Sequence, residues 1–239
     1  MRTLGIDLSS QAKETAACLL RWDGGLVEVV EQAEGCDDER LDTLIARADA
    51  VGIDAPLGWP EAFVEAVRAW PHARWDTTLR DRLRFRETDR EVHARLGLWP
   101  LSVSTDRIAL PAMRAMALLE RHGEQDKSGA PGRFFEVYPA GSLRAWGLPH
   151  RGYKGKGEGP AKVRAELLRA LGAALPQLAA ASANWVSDHV LDALVAALTT
   201  RAAAIGRTAS PERSQAHVAA REGWVHLPVE AQGALARLL

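Results

Sequence analysis

Short apolar runs punctuate this chain, and two of them close in the same way. Leu4-Gly5-Ile6 ends on Asp7, and Ala50-Val51-Gly52-Ile53 ends on Asp54. Runs this short, with a β-branched residue among them, predict buried strands. Between them, Thr15 to Trp22 and Leu26 to Gln32 are rich in Ala, Leu and Val and are separated by Asp23-Gly24-Gly25, a hairpin signal. Consecutive antiparallel strands are therefore expected to open the chain. From Asp38 the period changes: Leu41, Leu44, Ile45 and Ala48 share one helical face behind an acidic first turn. Pro56 stops the strand that ends at Asp54, and Glu61 to Trp70, with Pro60 at its start, predicts a short helix.

Farther along, Pro111 to Arg121 predicts a helix with proline in its first turn and a Met113, Met116 and Ala117 side expected in the core. Gln125 to Gly132 predicts a polar turn, and Arg133 to Pro139 a strand stopped by its proline. Pro160 opens a helix with a Val163, Leu167 and Leu171 stripe. Ser187 then suits the N-cap of a further helix that is apolar nearly all round and therefore buried.

The acids embedded in these runs carry the candidate chemistry. Asp7 lies in an apolar run, where a carboxylate needs a cation, a proton or several donors; the alternative is a strand end capped with help from Ser9 and Ser10. Asp54 is expected at a strand end facing a loop, where open α/β sheets place their chemistry. Asp188 and Asp192 are spaced to share a helix face. Asp188 can serve the helix dipole, but Asp192 lies a full turn in, and a buried carboxylate there asks for a metal ion. Glu136 is another acid on a strand, and alternation places it either with the site or in water opposite Phe135 and Val137. His189, beside these acids, reads as a solvated or packed imidazole before it reads as a ligand.

Cations cluster elsewhere. Arg74, Arg80, Arg82, Arg84, Arg86, Arg90 and Arg95 follow closely, with Trp75, Phe85 and Trp99 interleaved. Arginine with aromatics suits phosphate contact and base stacking. The same arginines can instead pair with Asp76, Asp81, Glu87, Asp89 and Glu91 along solvated helical faces. The glycine- and cation-rich stretch Arg151 to Gly159 suits either a phosphate-facing loop or a plain linker, and lacks the spacing of a Walker motif.

Composition narrows the classes. With 239 residues, 47% hydrophobic and 26% charged, the chain suits one globular domain, 1–239, with an inserted arginine-rich segment at about 60–110, and neither disorder nor a fibre. A formal net charge of −1 argues against a basic nucleic-acid coat. No charged leader with an apolar core begins the chain, and no apolar run approaches the roughly 18 residues of a membrane span. Cys18 and Cys36 fall in neither a zinc nor a redox pattern and are expected as packing residues, so a cytoplasmic location is expected.

In combination the motifs resemble a known family. Gly5-Ile6-Asp7, the run Gly52-Ile53-Asp54-Ala55-Pro56-Leu57-Gly58-Trp59-Pro60, Arg86-Glu87-Thr88-Asp89, Phe135-Glu136-Val137-Tyr138-Pro139, Tyr153-Lys154 and Asp192-Ala193-Leu194-Val195-Ala196-Ala197 carry the resemblance. The family is a prokaryotic domain-of-unknown-function family described as predicted RNase H-like nucleases. The resemblance implies an α/β ribonuclease H-like fold: a five-stranded mixed sheet flanked by helices, its first strands antiparallel, an inserted helical segment, and a long final helix carrying acids back to the first strand. The final helix is also similar to that of RuvC-type resolvases, although Asp188 and Asp192 stand one residue farther apart than the resolvases' acids. Leu8-Ser9-Ser10 follows Asp7 where actin-like sugar kinases and ATPases, the rival class on related folds, place Gly and Thr.

The expected function is metal-dependent hydrolysis of nucleic-acid phosphodiesters. Asp7, Asp54 and Asp192 are expected to hold two Mg²⁺ or Mn²⁺ ions, since hard oxygen ligands favour these over zinc. Asp188 and Glu136 are further catalytic candidates, and Arg84, Arg86, Asp89 and Lys154 are expected to contact substrate. The alternatives are an actin-like phosphotransferase and a non-catalytic nucleic-acid-binding domain.

Overall fold

The structure is a computed structural model and describes residues 1–73, 75, 77–129, 132–179, 187–229 and 233–239. The opening hairpin forms as the pattern predicts, with β1 (Arg2–Asp7), β2 (Ala16–Asp23) and β3 (Leu26–Glu34) successively antiparallel. The β2–β3 turn places Gly24 and Gly25 at φ of 54° and 82°, the left-handed pair that a tight hairpin requires. After helix α1 (Asp38–Ile45), β4 (Ala50–Asp54) lies parallel to β1 on its other side, and β5 (Phe134–Glu136) lies parallel to β4. The five-stranded sheet has the order β3-β2-β1-β4-β5. A mixed sheet of this order, antiparallel then parallel and flanked by helices, is a ribonuclease H-like α/β fold.

Period-two alternation divides the core between the two faces. Leu4, Ile6, Val51 and Ile53 meet Leu41, Leu44 and Ile45 of α1 and Ala115, Leu118 and Leu119 of α5 (Ala109–Arg121). On the other face Ala16, Cys18, Leu20 and Trp22 meet helix α9 (Asp188–Ala204), with α6 (Pro139–Ala145) and α7 (Glu158–Ala174) around it. Ser187 caps α9 by accepting from the Val190 N–H, and residues 190 to 200 of that helix are buried on every side. Both cysteines are free and buried. No helix among the described residues is long and apolar enough to cross a membrane.

Three expectations need correction. In α5 the buried side is Pro111, Ala112, Ala115, Leu118 and Leu119, while Met113 is 58% exposed, Ala117 is exposed and Met116 packs only in part against the core, because the longer apolar stripe at helical spacing runs through Ala112, Ala115 and Leu119. Pro139 stops β5 but also begins α6, where its missing N–H costs nothing. And α9 is not the last helix: α10 (Ala216–Glu222) follows it, after which Val225 bridges in parallel to Glu136 and extends the β5 edge.

Between β4 and α5 lie α2 (Glu61–Arg68), α3 (Arg80–Arg84), α4 (Glu87–Leu96) and a short 3-10 turn. Arg90 pairs with Glu87 and Arg95 with Glu91 at helical spacing, the solvated-face arrangement, while Arg74 and Asp76 lie outside the described residues. The carboxylate of Glu222 on α10 accepts the first N–H of α2, from Glu61, and that of α4, from Glu87, both at 2.7 Å. One acid thereby meets the positive ends of two helices and clamps the segment to the body.

Candidate metal centre

Asp7 and Asp54 are register partners at the C-terminal ends of adjacent parallel strands, and so are Gly5 and Gly52 two residues earlier. Residues two apart share a sheet face, so each aspartate lies on the face of its glycine. That face carries α9, and the glycines are what let the helix approach. A Cβ on Gly5 would lie 2.1 Å from the Ala193 carbonyl oxygen and 2.2 Å from the Ala197 nitrogen, and one on Gly52 would lie 2.0 Å from Thr200 Oγ1. With helix backbone seated on strand backbone, Asp192 reaches the strand ends. Carboxylate oxygens of Asp7, Asp54 and Asp192 all fall within 4.8 Å of one another.

The surroundings of the three differ. Asp192 is 1% exposed and accepts from Tyr153 Oη at 2.8 Å and Lys154 Nζ at 2.7 Å. Burial raises its carboxyl to about 6, Lys154 opposing and Asp7 reinforcing. Asp7 meets His189 Nδ1 at 2.7 Å, and this hydrogen bond lifts the imidazole to about 9 against its partial burial. Asp54 has no hydrogen-bond or ion-pair partner among the described residues. Burial, then the charges of Asp7 and Asp192, push its carboxyl well above the ordinary range. Burial pulls the Lys154 ammonium down, but Asp192 and Asp54 more than reverse this.

The remaining expected site residues fall in two groups. Asp188 stays outside the carboxylate cluster: it accepts from the Gly155 N–H at 2.8 Å and anchors the glycine-rich loop. Burial pushes its carboxyl up, but the N–H groups of Gly155 and of its own backbone bring it below the ordinary value. Arg164 holds the same loop by donating to the carbonyls of Tyr153 and Gly155, so the stretch that reads equally as a linker is pinned to the site with Lys154 on it.

Arg86, Asp89 and Glu136 form a separate closed network, with Arg86 1% and Asp89 0% exposed. The Arg86 fork donates to Glu136 Oε1 at 2.6 Å and Oε2 at 2.7 Å, to both Asp89 oxygens, and to the Glu222 carbonyl. Glu136 Oε2 also accepts the Leu57 N–H at 2.9 Å. Glu136 is therefore neither solvated nor a member of the acid cluster. The network holds the turn after Asp54, and its arginine is not on the surface. Arg84 is exposed, with its guanidinium 4.6 Å from the Phe85 ring centroid.

Two contacts of the cluster, His189 with Asp7 and Tyr153 with Asp192, lie beyond the expected set. Residues 189 and 192 stand three apart on a helix, which places His189 and Asp192 on one face, and that signal was present in the sequence. Tyr153 carried only its place beside Lys154, since nothing local announces that a tyrosine will be buried against a carboxylate.

A cavity of about 500 Å³ opens beside the cluster, with Asp54, Tyr153 and Lys154 among its lining residues.

The donor set suits a hard divalent cation: it consists of carboxylate oxygens, and the Asp54 carboxylate has no hydrogen-bond or ion-pair partner among the described residues. Fold and site together define an α/β protein of ribonuclease H-like architecture with an acidic centre at the end of its parallel strands. The chain belongs to the family described as protein of unknown function (DUF429), which matches residues 5–216 and so includes all three aspartates. No curated protein and no solved structure matches it.

Proposed function

We propose that this protein is a metal-dependent nuclease that hydrolyses phosphodiester bonds. The observation that carries the reading is Asp54: a carboxylate with no hydrogen-bond or ion-pair partner among the described residues, held against those of Asp7 and Asp192 at the ends of the parallel strands. Like charges this close need a proton or a cation to compensate them, and a divalent ion held by all three meets that need. Asp7, Asp54 and Asp192 would hold Mg²⁺ or Mn²⁺, two ions in this reading. What such ions supply is activation of water and neutralisation of charge on the leaving oxygen.

The chain's own groups do the rest. Tyr153 donates to Asp192 and fixes the direction of its carboxylate, and His189 does the same for Asp7. Lys154 lies 58% exposed at the rim, where its ammonium can also meet a phosphate oxygen. A nucleic-acid strand is the proposed partner.

The test is cleavage of single-stranded, duplex, hybrid and branched substrates with Mg²⁺, Mn²⁺ or Ca²⁺. Slow hydrolysis with the first two and suppression by Ca²⁺ is expected, since Ca²⁺ is larger and more loosely coordinated. The reading fails if no substrate is cut, or if Asp7→Asn and Asp54→Asn cut as well as the wild type.

A further inference from the structure

The cavity beside the acids has lining that the proposed chemistry does not use. Besides Asp54, Tyr153 and Lys154 it is lined by Pro56, Val137, Trp99, Leu101 and Ile108. A volume of about 500 Å³ lies in the range, roughly 300 to 1,000 Å³, of pockets that take one small organic molecule. Tyr138 and Arg151 line the space too, and neither side chain has a hydrogen-bond or ion-pair partner among the described residues. His150 stands beside them.

This arrangement specifies its ligand. Asp54, Lys154 and Arg151 offer carboxylate and cations suited to a phosphate ester with its metal. Trp99, Leu101 and Ile108 offer apolar surface for an uncharged ring-sized group, and the Tyr138 phenol can donate to or accept from that ring's edge. Trp99 is not itself a stacking platform: its indole is already stacked on Phe85 at 4.2 Å and on His93 at 4.0 Å between centroids. That ladder fixes the position of Trp99 in the lining.

We infer that the cavity binds one unpaired nucleotide, its phosphate at the Asp54, Lys154 and Arg151 end and its base against the Trp99, Leu101 and Ile108 wall. The inference rests on the proposed nuclease reading for the phosphate end and adds the state of the substrate. A base held in this space is withdrawn from any partner strand, so the chain acts on single-stranded or extruded positions and discriminates against intact duplex.

Binding tests this without turnover. Titrate the intact protein with AMP, GMP, CMP and UMP, and with ribose 5-phosphate and inorganic phosphate, by calorimetry and by tryptophan fluorescence. At least one nucleoside monophosphate should bind ten-fold or more tightly than ribose 5-phosphate. Ile108→Trp, which fills the space, and Leu101→Glu, at a 60% exposed position that the fold tolerates, should each weaken that binding ten-fold while leaving phosphate binding unchanged. Equal binding of nucleotide and ribose 5-phosphate, or no effect of Leu101→Glu, overturns the inference. In the cleavage panel, duplex cut as fast as single strand also overturns it while leaving the nuclease reading intact. Discriminating nucleotide binding with no cleavage of any substrate has the opposite meaning: the nuclease reading falls and the nucleotide site stands.

Discussion

At the scale of single residues, the centre is a set of unequal acids, and their inequality yields tests. Asp192 and Asp7 have protein partners, whereas Asp54 faces two like charges with no hydrogen-bond or ion-pair partner among the described residues. Asp54→Asn should therefore raise the melting temperature of the metal-free protein, because it removes repulsion and breaks no hydrogen bond, and it should abolish stabilisation by Mn²⁺. Thermal melts with and without Mn²⁺ read both effects, and a large loss of stability without metal would mean that Asp54 is a structural acid. Arg86 behaves in the opposite sense. Removing the only guanidinium between Asp89 and Glu136 strands two buried carboxylates, so Arg86→Met should cost about 3 to 5 kcal/mol in urea unfolding. His226 supplies a pH dependence remote from the acids. Its Nε2–H donates to the Ser128 carbonyl and its Nδ1 accepts from Thr208 Oγ1. Burial holds this neutral imidazole down to about 4 from an ordinary 6.5. Protons then bind the unfolded chain first, so the contribution of His226 is complete above the unfolded value and is lost as pH falls from 6.5 toward 4, by roughly 3 kcal/mol. The stability gap between wild type and His226→Gln should narrow across that interval.

At the scale of elements, the decisive feature is the seating of α9 on two strand glycines. Gly5→Ala forces a methyl into helix backbone that cannot move aside, and should cost at least about 1 to 3 kcal/mol, together with loss of Mn²⁺ stabilisation as Asp192 is displaced. Gly159→Ala is the control: it lies in α7 with nothing within 4 Å of the added carbon, and should be neutral or stabilising by up to about 1 kcal/mol. The strands and α9 were legible because their signals are local. Gly-Ile-Asp repeats in two apolar runs, and Ser187 precedes an apolar helix containing one embedded acid. Asp7 and Asp54 were legible for the same reason, as charges where an apolar run should continue. The buried side of α5 was not, because Met113 is as apolar as Leu118 and only the distance to the sheet selects between them. Nor were α6 and α10, short helices whose positions depend on what they pack against.

At the scale of the whole molecule, what could not be read was long-range partnership. Arg86 stands in an arginine-rich stretch that suggests phosphate contact or local pairing, and beside its local partner Asp89 its guanidinium reaches Glu136 and the carbonyl of Glu222, 50 and 136 positions away. No local pattern distinguishes an arginine bound for the interior from its exposed neighbours such as Arg84. The same holds for Glu222, one carboxylate serving two helix starts. The centre itself is assembled over comparable separations, His189 meeting Asp7 across 182 positions. This fixes an order of events during synthesis. A growing polypeptide carries the sheet with its glycine-floored face open and Asp7 and Asp54 uncompensated until α9 emerges, late in the chain. A chain that ends before Asp188 holds two of the three acids, Asp7 and Asp54, and should gain no stability from Mn²⁺, while the remainder carries an apolar helix with no sheet to cover.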